Sequence, residues 1–451
     1  MSNAPAAAAK TQSGEKSAVR EQARAARQAA RKLALLPNEV RNSVLLSVAK
    51  RTEQNAARIL QANAEDCRAA EELVRTGKMS AAAFARLRVS EKTIEEMVLR
   101  LEEVARLDDP IGRRLSTTEL DEGLILYKES CPLGVVAVVF ESRPDVVPQV
   151  SALAFKSGNA VLLKGGTEAA RTNEVLVELW RETLREFPGV PENSVTLLQS
   201  RADVMELLQL KREVDLIVPR GGRDFVQYIS ENSKVPVLGH GEGICHVYVD
   251  RAANLAKAEE ITMDAKTQYP AACNSVETLL VHSDVATEFL PRVAARLRNA
   301  GVELRGCERT RTILRQADIK AATEADWATE YSDLILAIRM VDSLDAALDH
   351  IAEFGSSHTE AIVTEDGAAA ERFLNEIDAA GVYHNVSTRF ADGYRYGLGS
   401  EVGISNSKLH ARGPMGMEGL TTYKYKLVGS GHIVATYARG ERALRPRKLE
   451  K

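Results

Sequence analysis

The sequence predicts an α/β protein with two doubly wound, Rossmann-like parallel sheets and a small extra β element. Three observations carry this. From Pro132 to Asp250, short apolar runs alternate with helical segments, the pattern of parallel strands joined by crossover helices. After a helix at Ala253–Lys266 the alternation resumes, less regularly, to Leu420. Two stretches outside both blocks, Leu124–Glu129 and Thr421–Val428, read as exposed hairpin strands.

Composition excludes several classes of function. A chain of 451 residues, 45% hydrophobic and 27% charged, has ample core for two or three domains. With 59 Lys and Arg against 63 Asp and Glu, the net charge is −4, which gives no general attraction to nucleic acid or an anionic membrane. No run approaches the roughly 18 apolar residues that cross a bilayer. The five cysteines, Cys67, Cys131, Cys245, Cys273 and Cys307, are scattered and odd in number. They show no zinc spacing, so neither a metal site nor a disulfide frame is expected, and the compartment is read as cytoplasmic. Residues 1–16, rich in alanine and otherwise polar, read as a disordered lead without a signal-peptide core.

From Ser17 to about Leu107, Ala, Arg, Glu, Gln and Leu dominate, which predicts several helices, broken at Leu35-Leu36-Pro37-Asn38, Asn63 and Thr76-Gly77. Their many charges read as solvated faces. Asp108–Gly112 ends the helical part. Asp121-Glu122-Gly123 is a turn that opens the strand Leu124–Glu129. Near the C-terminus, Thr421–Val428, Gly429–His432 and Ile433–Tyr437 read as a second hairpin. Two lone hairpins are marginal, so pairing across subunits is expected, and with it a homo-oligomer. Between these, Val135–Phe140, Ala160–Leu163, Ser194–Leu198, Leu216–Val218, Val235–Leu238 and His246–Val249 read as strands. The amphipathic helix Thr167–Phe187 carries Leu176, Trp180, Leu184 and Phe187 on one stripe. The expected division is a cofactor domain of residues 17–112 and 133–252, a catalytic domain of 253–420, and a β oligomerisation element of 113–132 and 421–440.

Three stretches could carry chemistry. Cys273 follows the turn Pro270-Ala271-Ala272 and precedes the largely apolar run Val276–Val281, where a thiol is either a presented nucleophile or a small buried hydrophobe. Lys164-Gly165-Gly166 closes a strand before a helix, which suits a phosphate or ribose. Arg220-Gly221-Gly222-Arg223 lets a pyrophosphate approach backbone N–H groups, or is a plain βα turn. Gly239-His240-Gly241-Glu242-Gly243 is followed by a strand, so it is not a dinucleotide fingerprint.

The run Cys273-Asn274-Ser275-Val276-Glu277-Thr278-Leu279-Leu280-Val281 resembles the nucleophile segment of the gamma-glutamyl phosphate reductase family, within the aldehyde dehydrogenase superfamily. So do Phe140-Glu141-Ser142-Arg143-Pro144, Gly355-Ser356-Ser357-His358-Thr359-Glu360, His384–Phe390 and Leu409–Gly416, and the resemblance covers nearly all of residues 17–440. It implies an aldehyde dehydrogenase-like fold and NADPH-dependent reduction of L-glutamyl 5-phosphate to L-glutamate 5-semialdehyde through a Cys273 thioester, the second step of proline synthesis. Lys164 matches the lysine that holds the adenosine ribose or its 2′-phosphate, and Glu330 resembles the glutamate on the nicotinamide ribose. Ser142 falls near the superfamily's oxyanion asparagine. Arg143 and Arg412 are candidates for the substrate's carboxylate or phosphate, and His358 for a substrate contact. Hydrolytic dehydrogenases carry a glutamate base where this chain reads Val237-Leu238-Gly239-His240-Gly241. Its absence argues against the rival reading, a hydrolytic aldehyde dehydrogenase. The intact Cys273 and Lys164 argue against a second rival, a non-catalytic scaffold. A separate glutamate 5-kinase is then a transient partner.

Overall fold

The computed structural model describes residues 18–199, 201–239, 241–315 and 319–449, so the expected lead at 1–16 lies outside the described residues. Five helices come first: α1 (Ala18–Leu33), α2 (Asn38–Gln54), α3 (Ala56–Arg75), α4 (Ala81–Leu87) and α5 (Glu91–Arg106). In α1 the buried residues Val19, Ala23, Ala26, Ala30 and Leu33 recur every three or four positions. Their small side chains let the helix lie close against a sheet. At α5, Ser90 Oγ accepts from Thr93 N–H (3.2 Å) while Thr93 Oγ1 accepts from Ser90 N–H (3.1 Å), a reciprocal cap.

The chain then makes β1 (Arg114–Asp121) and β2 (Leu124–Pro132), and enters the first sheet with β3 (Val135–Phe140). There follow α6 (Val146–Lys156), β4 (Ala160–Lys164), α7 (Ala170–Arg185), β5 (Val195–Leu197), α8 (Arg201–Leu207), β6 (Leu216–Arg220) and α9 (Arg223–Asn232). The strands are parallel, in the order β5-β4-β3-β6. All of α6 is buried, pressed between this sheet and α2 and α5.

A lysine inside such a helix must find acceptors. Lys156 Nζ donates to Asn38 Oδ1 (2.9 Å), Asn42 Oδ1 and the Ala105 carbonyl (3.2 Å). Burial lowers its pKa from 10.5 to about 8. A depressed folded pKa contributes stability above the unfolded value that is lost as pH falls through the folded one. Thermal melts of wild type and Lys156→Met should therefore diverge in favour of wild type as pH rises from 8 to 10. A constant gap across that window would refute the shift.

The second sheet holds β7 (Cys245–Val249), then, after α10 (Leu255–Thr267), β8 (Val276–His282), β9 (Glu303–Gly306), β10 (Lys320–Ala321), β11 (Ile335–Val341), β12 (Thr359–Val363) and β13 (Gly381–His384). All are parallel, in the order β10-β9-β11-β8-β7-β12-β13. The sequence reading ran the first sheet through His246–Val249. The pairing corrects this, because β7 lies between β8 and β12. The first sheet's last contribution is the bridge between Ile217 and Val237. An apolar strand carries no mark of which sheet it joins.

The β element also differs from expectation. Thr421–Val428 pairs with β2 of the same chain, from Thr421 opposite Pro132 to Val428 opposite Ile125. The two stretches thus meet within one chain, with β1 and Arg447–Leu449 beyond them. The sequence reading passed over β1, whose Ser116-Thr117-Thr118-Glu119 is polar on both faces. Ile433–Tyr437, expected as a strand, forms the helix Val434–Ala438. The free edge of Thr421–Val428 exposes Tyr423, Tyr425, Leu427 and Val428.

Candidate active site

Cys273 sits on the turn between α10 and β8. Ala272 N–H donates to the Tyr269 carbonyl (3.2 Å) and Ser275 N–H to the Ala272 carbonyl (2.9 Å). Asn274 is tied to the Ala391 carbonyl (2.7 Å) and β8 is buried throughout, while Cys273 itself stays partly exposed. This is the presentation a nucleophile requires. Its backbone is gripped from behind. Cys245 Sγ donates to the Cys273 carbonyl (3.4 Å), and Gly243 runs so close that a Cβ there would overlap the same oxygen. Gly243 N–H donates to Glu330 Oε2 (2.9 Å). Glu330, a glutamate that alone would pass for a surface residue, is thereby one residue removed from the cysteine backbone. Gly243→Ala should push the Cys273 turn aside and lower kcat about 100-fold or more, since misplacement by about 1 Å costs that much. A variant with wild-type kcat would show that the turn yields freely.

Charge gathers in front of the thiol. Arg220 ends β6 opposite Phe140, and its carbonyl accepts from Glu141 N–H (3.2 Å). Its Nη1 is buried and has no hydrogen-bond partner among the described residues. Burial lowers the Arg220 pKa to about 10 and neighbouring Arg143 acts the same way, while Glu401, Asp145 and Cys273 oppose them. Arg143 donates to Asp145 (3.2 Å), which holds it above its ordinary range. Burial raises the Glu401 carboxyl against the pull of Arg220, and its Oε2 accepts from Gly393 N–H (2.8 Å). Arg389 donates to Gln268 (2.9 Å) and lies over the Tyr269 ring. Burial lowers it, with Arg395 adding to the effect and Cys273 opposing. Arg220 and Arg389 thus both feel the charge of Cys273, and Arg143 lies beside Arg220, a setting that favours an incoming anion.

The remaining candidates divide. Lys164 ends β4 and donates to the Gly165 carbonyl, and Gly165 packs so tightly on Asn173 that a Cβ would overlap it. Across β3, Gly222 N–H at the start of α9 donates to Glu141 Oε2 (3.3 Å), and a Cβ at Gly221 would crowd that carboxylate. A carboxylate therefore already occupies the helix N-terminus where a cofactor phosphate would sit, so the turn accepts an anion. Lys164, Gly221 and Gly222 lie at the carboxyl ends of strands flanking β3, with Glu330 beside Cys273. That set fits a nicotinamide dinucleotide.

Three residues stand apart from the roles expected of them. Ser142 adopts φ 45° and gives both N–H (2.6 Å) and Oγ (2.8 Å) to Glu168 Oε1, so its donors are committed away from an oxyanion. His358 is 1% exposed, with Nδ1 at 2.9 Å from Thr359 Oγ1 and 3.8 Å from Cys245 Sγ, behind Cys273 and away from an open cleft. Arg412 grips Asp378 through Oδ1 (2.7 Å) and the main-chain carbonyl (3.1 Å), and its contacts include none of the cysteine cluster. The sequence reading missed Glu401, Gly243 and Cys245. Glu401 sits in the glycine- and serine-rich Gly397–Ser400 neighbourhood, which reads as surface loop.

Two parallel sheets, glycine turns at their strand ends and a gripped, partly exposed cysteine are the features of a dinucleotide-dependent oxidoreductase. The chain belongs to the aldehyde dehydrogenase family, whose model matches residues 4–311, and it therefore uses a nicotinamide cofactor. It is 54% identical over 416 residues to gamma-glutamyl phosphate reductase of Synechococcus sp. strain JA-3-3Ab, covering 92% of this chain and 91% of that one. It is 53% identical over 414 residues to the enzyme of that name from Natronomonas pharaonis, covering 92% and 94%. Among solved structures, gamma-glutamyl phosphate reductase from Thermotoga maritima matches with a TM-score of 0.88 at 40% identity, covering 92% of this chain and 99% of that one. An acetylating aldehyde dehydrogenase from Geobacillus thermoglucosidasius shares the fold, with a TM-score of 0.64 at 19% identity, covering 92% and 97%.

Proposed function

We propose that this enzyme reduces L-glutamyl 5-phosphate to L-glutamate 5-semialdehyde with release of phosphate, using NADPH, as a step of proline biosynthesis. The observation that supports the reading most is that Arg220 is buried beside both Cys273 and Arg143, with an Nη1 that lacks a hydrogen-bond partner among the described residues. An acyl phosphate brings a doubly charged leaving group to that place, and guanidinium groups match it. Cys273 Sγ attacks the acyl carbon and forms a C–S bond. The tetrahedral oxyanion lies within reach of the Cys273 N–H, and its collapse breaks the C–O bond to phosphorus. Phosphate departs with the electron pair, held by Arg143 and Arg220. Lys164 would hold the cofactor's ribose 2′-phosphate, Gly221 and Gly222 its pyrophosphate and Glu330 its nicotinamide ribose, and the reduced nicotinamide, when bound, supplies a hydride to the thioester. Cys273 then leaves as thiolate and is ready for another cycle. Glu401, held by Gly393 and among arginines, is not placed as a free base for water.

The exposed edge of Thr421–Val428 supports a homo-oligomer joined through the β element. The reactivity of acyl phosphates supports a transient contact with a separate glutamate 5-kinase in the cytoplasm. The decisive assay is oxidation of glutamate 5-semialdehyde with NADP⁺, with and without phosphate. Strict phosphate dependence is expected. Oxidation at full rate without phosphate would mean a hydrolytic enzyme, and a preference for NAD⁺ would overturn the role given to Lys164.

A further inference from the structure

Three arginines of the N-terminal helical segment, Arg86 and Arg88 exposed and Arg100 half-buried, border a common concavity. Arg86 of α4, Arg88 just beyond it and Arg100 of α5 line one cavity of about 260 Å³ with Arg143, Asp145 and Tyr269. Among the described residues, Arg86, Arg88 and Arg100 form no ion pair, whereas Arg143 is matched by Asp145. Glu96 is the only other carboxylate on the wall. Four guanidinium groups against two carboxylates leave the cavity positive. Arg88 is steadied over the Phe84 ring, 5.6 Å from its centroid. Unpaired arginines that converge on a concavity are a receptor for a planar anion.

The cavity adjoins the nucleophile. Tyr269, on its wall, opens the turn that presents Cys273, and Arg143 belongs to both the cavity and the charged cluster in front of the thiol. A substrate with its acyl group at Cys273 and its chain directed past Arg143 would bring its far end toward Arg88 and Arg100. The far end of a glutamyl phosphate carries a carboxylate and an ammonium. The wall offers guanidinium groups for one and Glu96 for the other.

We propose that this cavity binds the amino-acid end of the substrate, with Arg88 and Arg100 on the free carboxylate and Glu96 on the ammonium, and so selects amino-acid acyl phosphates over unsubstituted ones. The assignment rests on the reading of Cys273 as the acyl acceptor. It gives the N-terminal helices a part in specificity that neither their composition nor the helical pattern reveals.

The test is phosphate-dependent aldehyde oxidation by the full chain, for wild type, Arg88→Gln, Arg100→Gln, Arg100→Lys and Glu96→Gln. Glutamate 5-semialdehyde is compared with butanal, which lacks both charged groups. For the glutamine variants of Arg88 and Arg100, KM for glutamate 5-semialdehyde should rise about tenfold or more, the scale of one charge-assisted hydrogen bond. Their kcat should stay within about threefold, and KM for phosphate and NADP⁺ should not move. The kcat/KM ratio between the two aldehydes should fall by the same factor, and Arg100→Lys should recover part of it. Unchanged KM values would overturn the proposal. So would equal losses on both aldehydes, which would mean a structural role, or a selective rise in KM for phosphate, which would make the cavity a phosphate site. Activity surviving in Cys273→Ala would instead sink the underlying reading, whatever the arginine variants do.

Discussion

Cys273→Ala is expected to abolish phosphate-dependent oxidation of glutamate 5-semialdehyde, by about four orders of magnitude or more, and to leave NADP⁺ binding intact. The argument runs from the turn outward. The thiol is the strongest nucleophile on the Tyr269–Ser275 turn, the Ser275 hydroxyl being buried and donating to the Ala265 carbonyl (3.2 Å), and the elements around the thiol serve its position. Asn274 anchors one side, Cys245 and Gly243 hold the carbonyl behind it, and Arg220 and Arg389, with Arg143 beside Arg220, set the charge around it. Without the thiolate there is no covalent acceptor, so binding and charge stabilisation remain while the path itself is lost. Alanine removes a small, partly exposed side chain, so the variant should fold and melt like wild type. The measurement is single-turnover and steady-state oxidation with phosphate, together with NADPH titration by fluorescence. Residual activity above about one per cent with normal phosphate dependence would exclude a Cys273 thioester.

What the sequence showed and what it hid follow from the range of the interactions. Val135–Phe140 is legible because burial on both faces demands a continuous apolar run, and Val276–Val281 because it is largely apolar despite Glu277 and Thr278. The all-buried α6 is legible for the same reason, except for Lys156, whose acceptors come from α2 and α5. The membership of β7 in the second sheet is invisible, because either sheet would accept Cys-His-Val-Tyr-Val. Arg220 illustrates the limit at the site. Its place beside two glycines suggests a cofactor turn, and the turn is there, yet the guanidinium is buried among Arg143, Glu401, Asp145 and Cys273. His358 and Arg412 sit in telling motifs, but the fold assigns them to Cys245 and Asp378. The charges of α4 and α5 resemble any solvated helix face until Arg143 and Tyr269 close a cavity over them.

The largest stability effect is expected at Lys266 and Glu277, an ion pair with both side chains fully buried. Lys266 Nζ donates to Glu277 Oε2 (2.7 Å) and to the Val276 carbonyl (3.0 Å), and Glu277 Oε1 accepts from Ser332 N–H (3.2 Å). The pair joins α10 to β8 just after the Cys273 turn, and β8 to the loop that carries Glu330. Burial raises the Glu277 carboxyl to about 7 and lowers Lys266, each against the pull of its partner. Lys266→Met removes the partner and leaves a buried acid, which should cost about 3–5 kcal/mol. The sign of the pH dependence follows from the raised carboxyl. Stability from a raised folded pKa is complete below the unfolded value and is lost as pH rises through the folded one. The deficit of Lys266→Met should therefore be smallest near pH 5 and grow toward pH 8. Lys266→Met combined with Glu277→Leu should recover most of the loss, because no charge is then stranded, while Ser332 N–H still lacks its acceptor. Because that loop also carries Glu330, the single variant should raise KM for NADP⁺ as well. Denaturant unfolding of both single variants and the double variant at pH 5 and pH 8 decides it. Strictly additive losses, or a deficit that shrinks as pH rises, would mean that the pair does not act as a coupled charge between the nucleophile's strand and the cofactor loop.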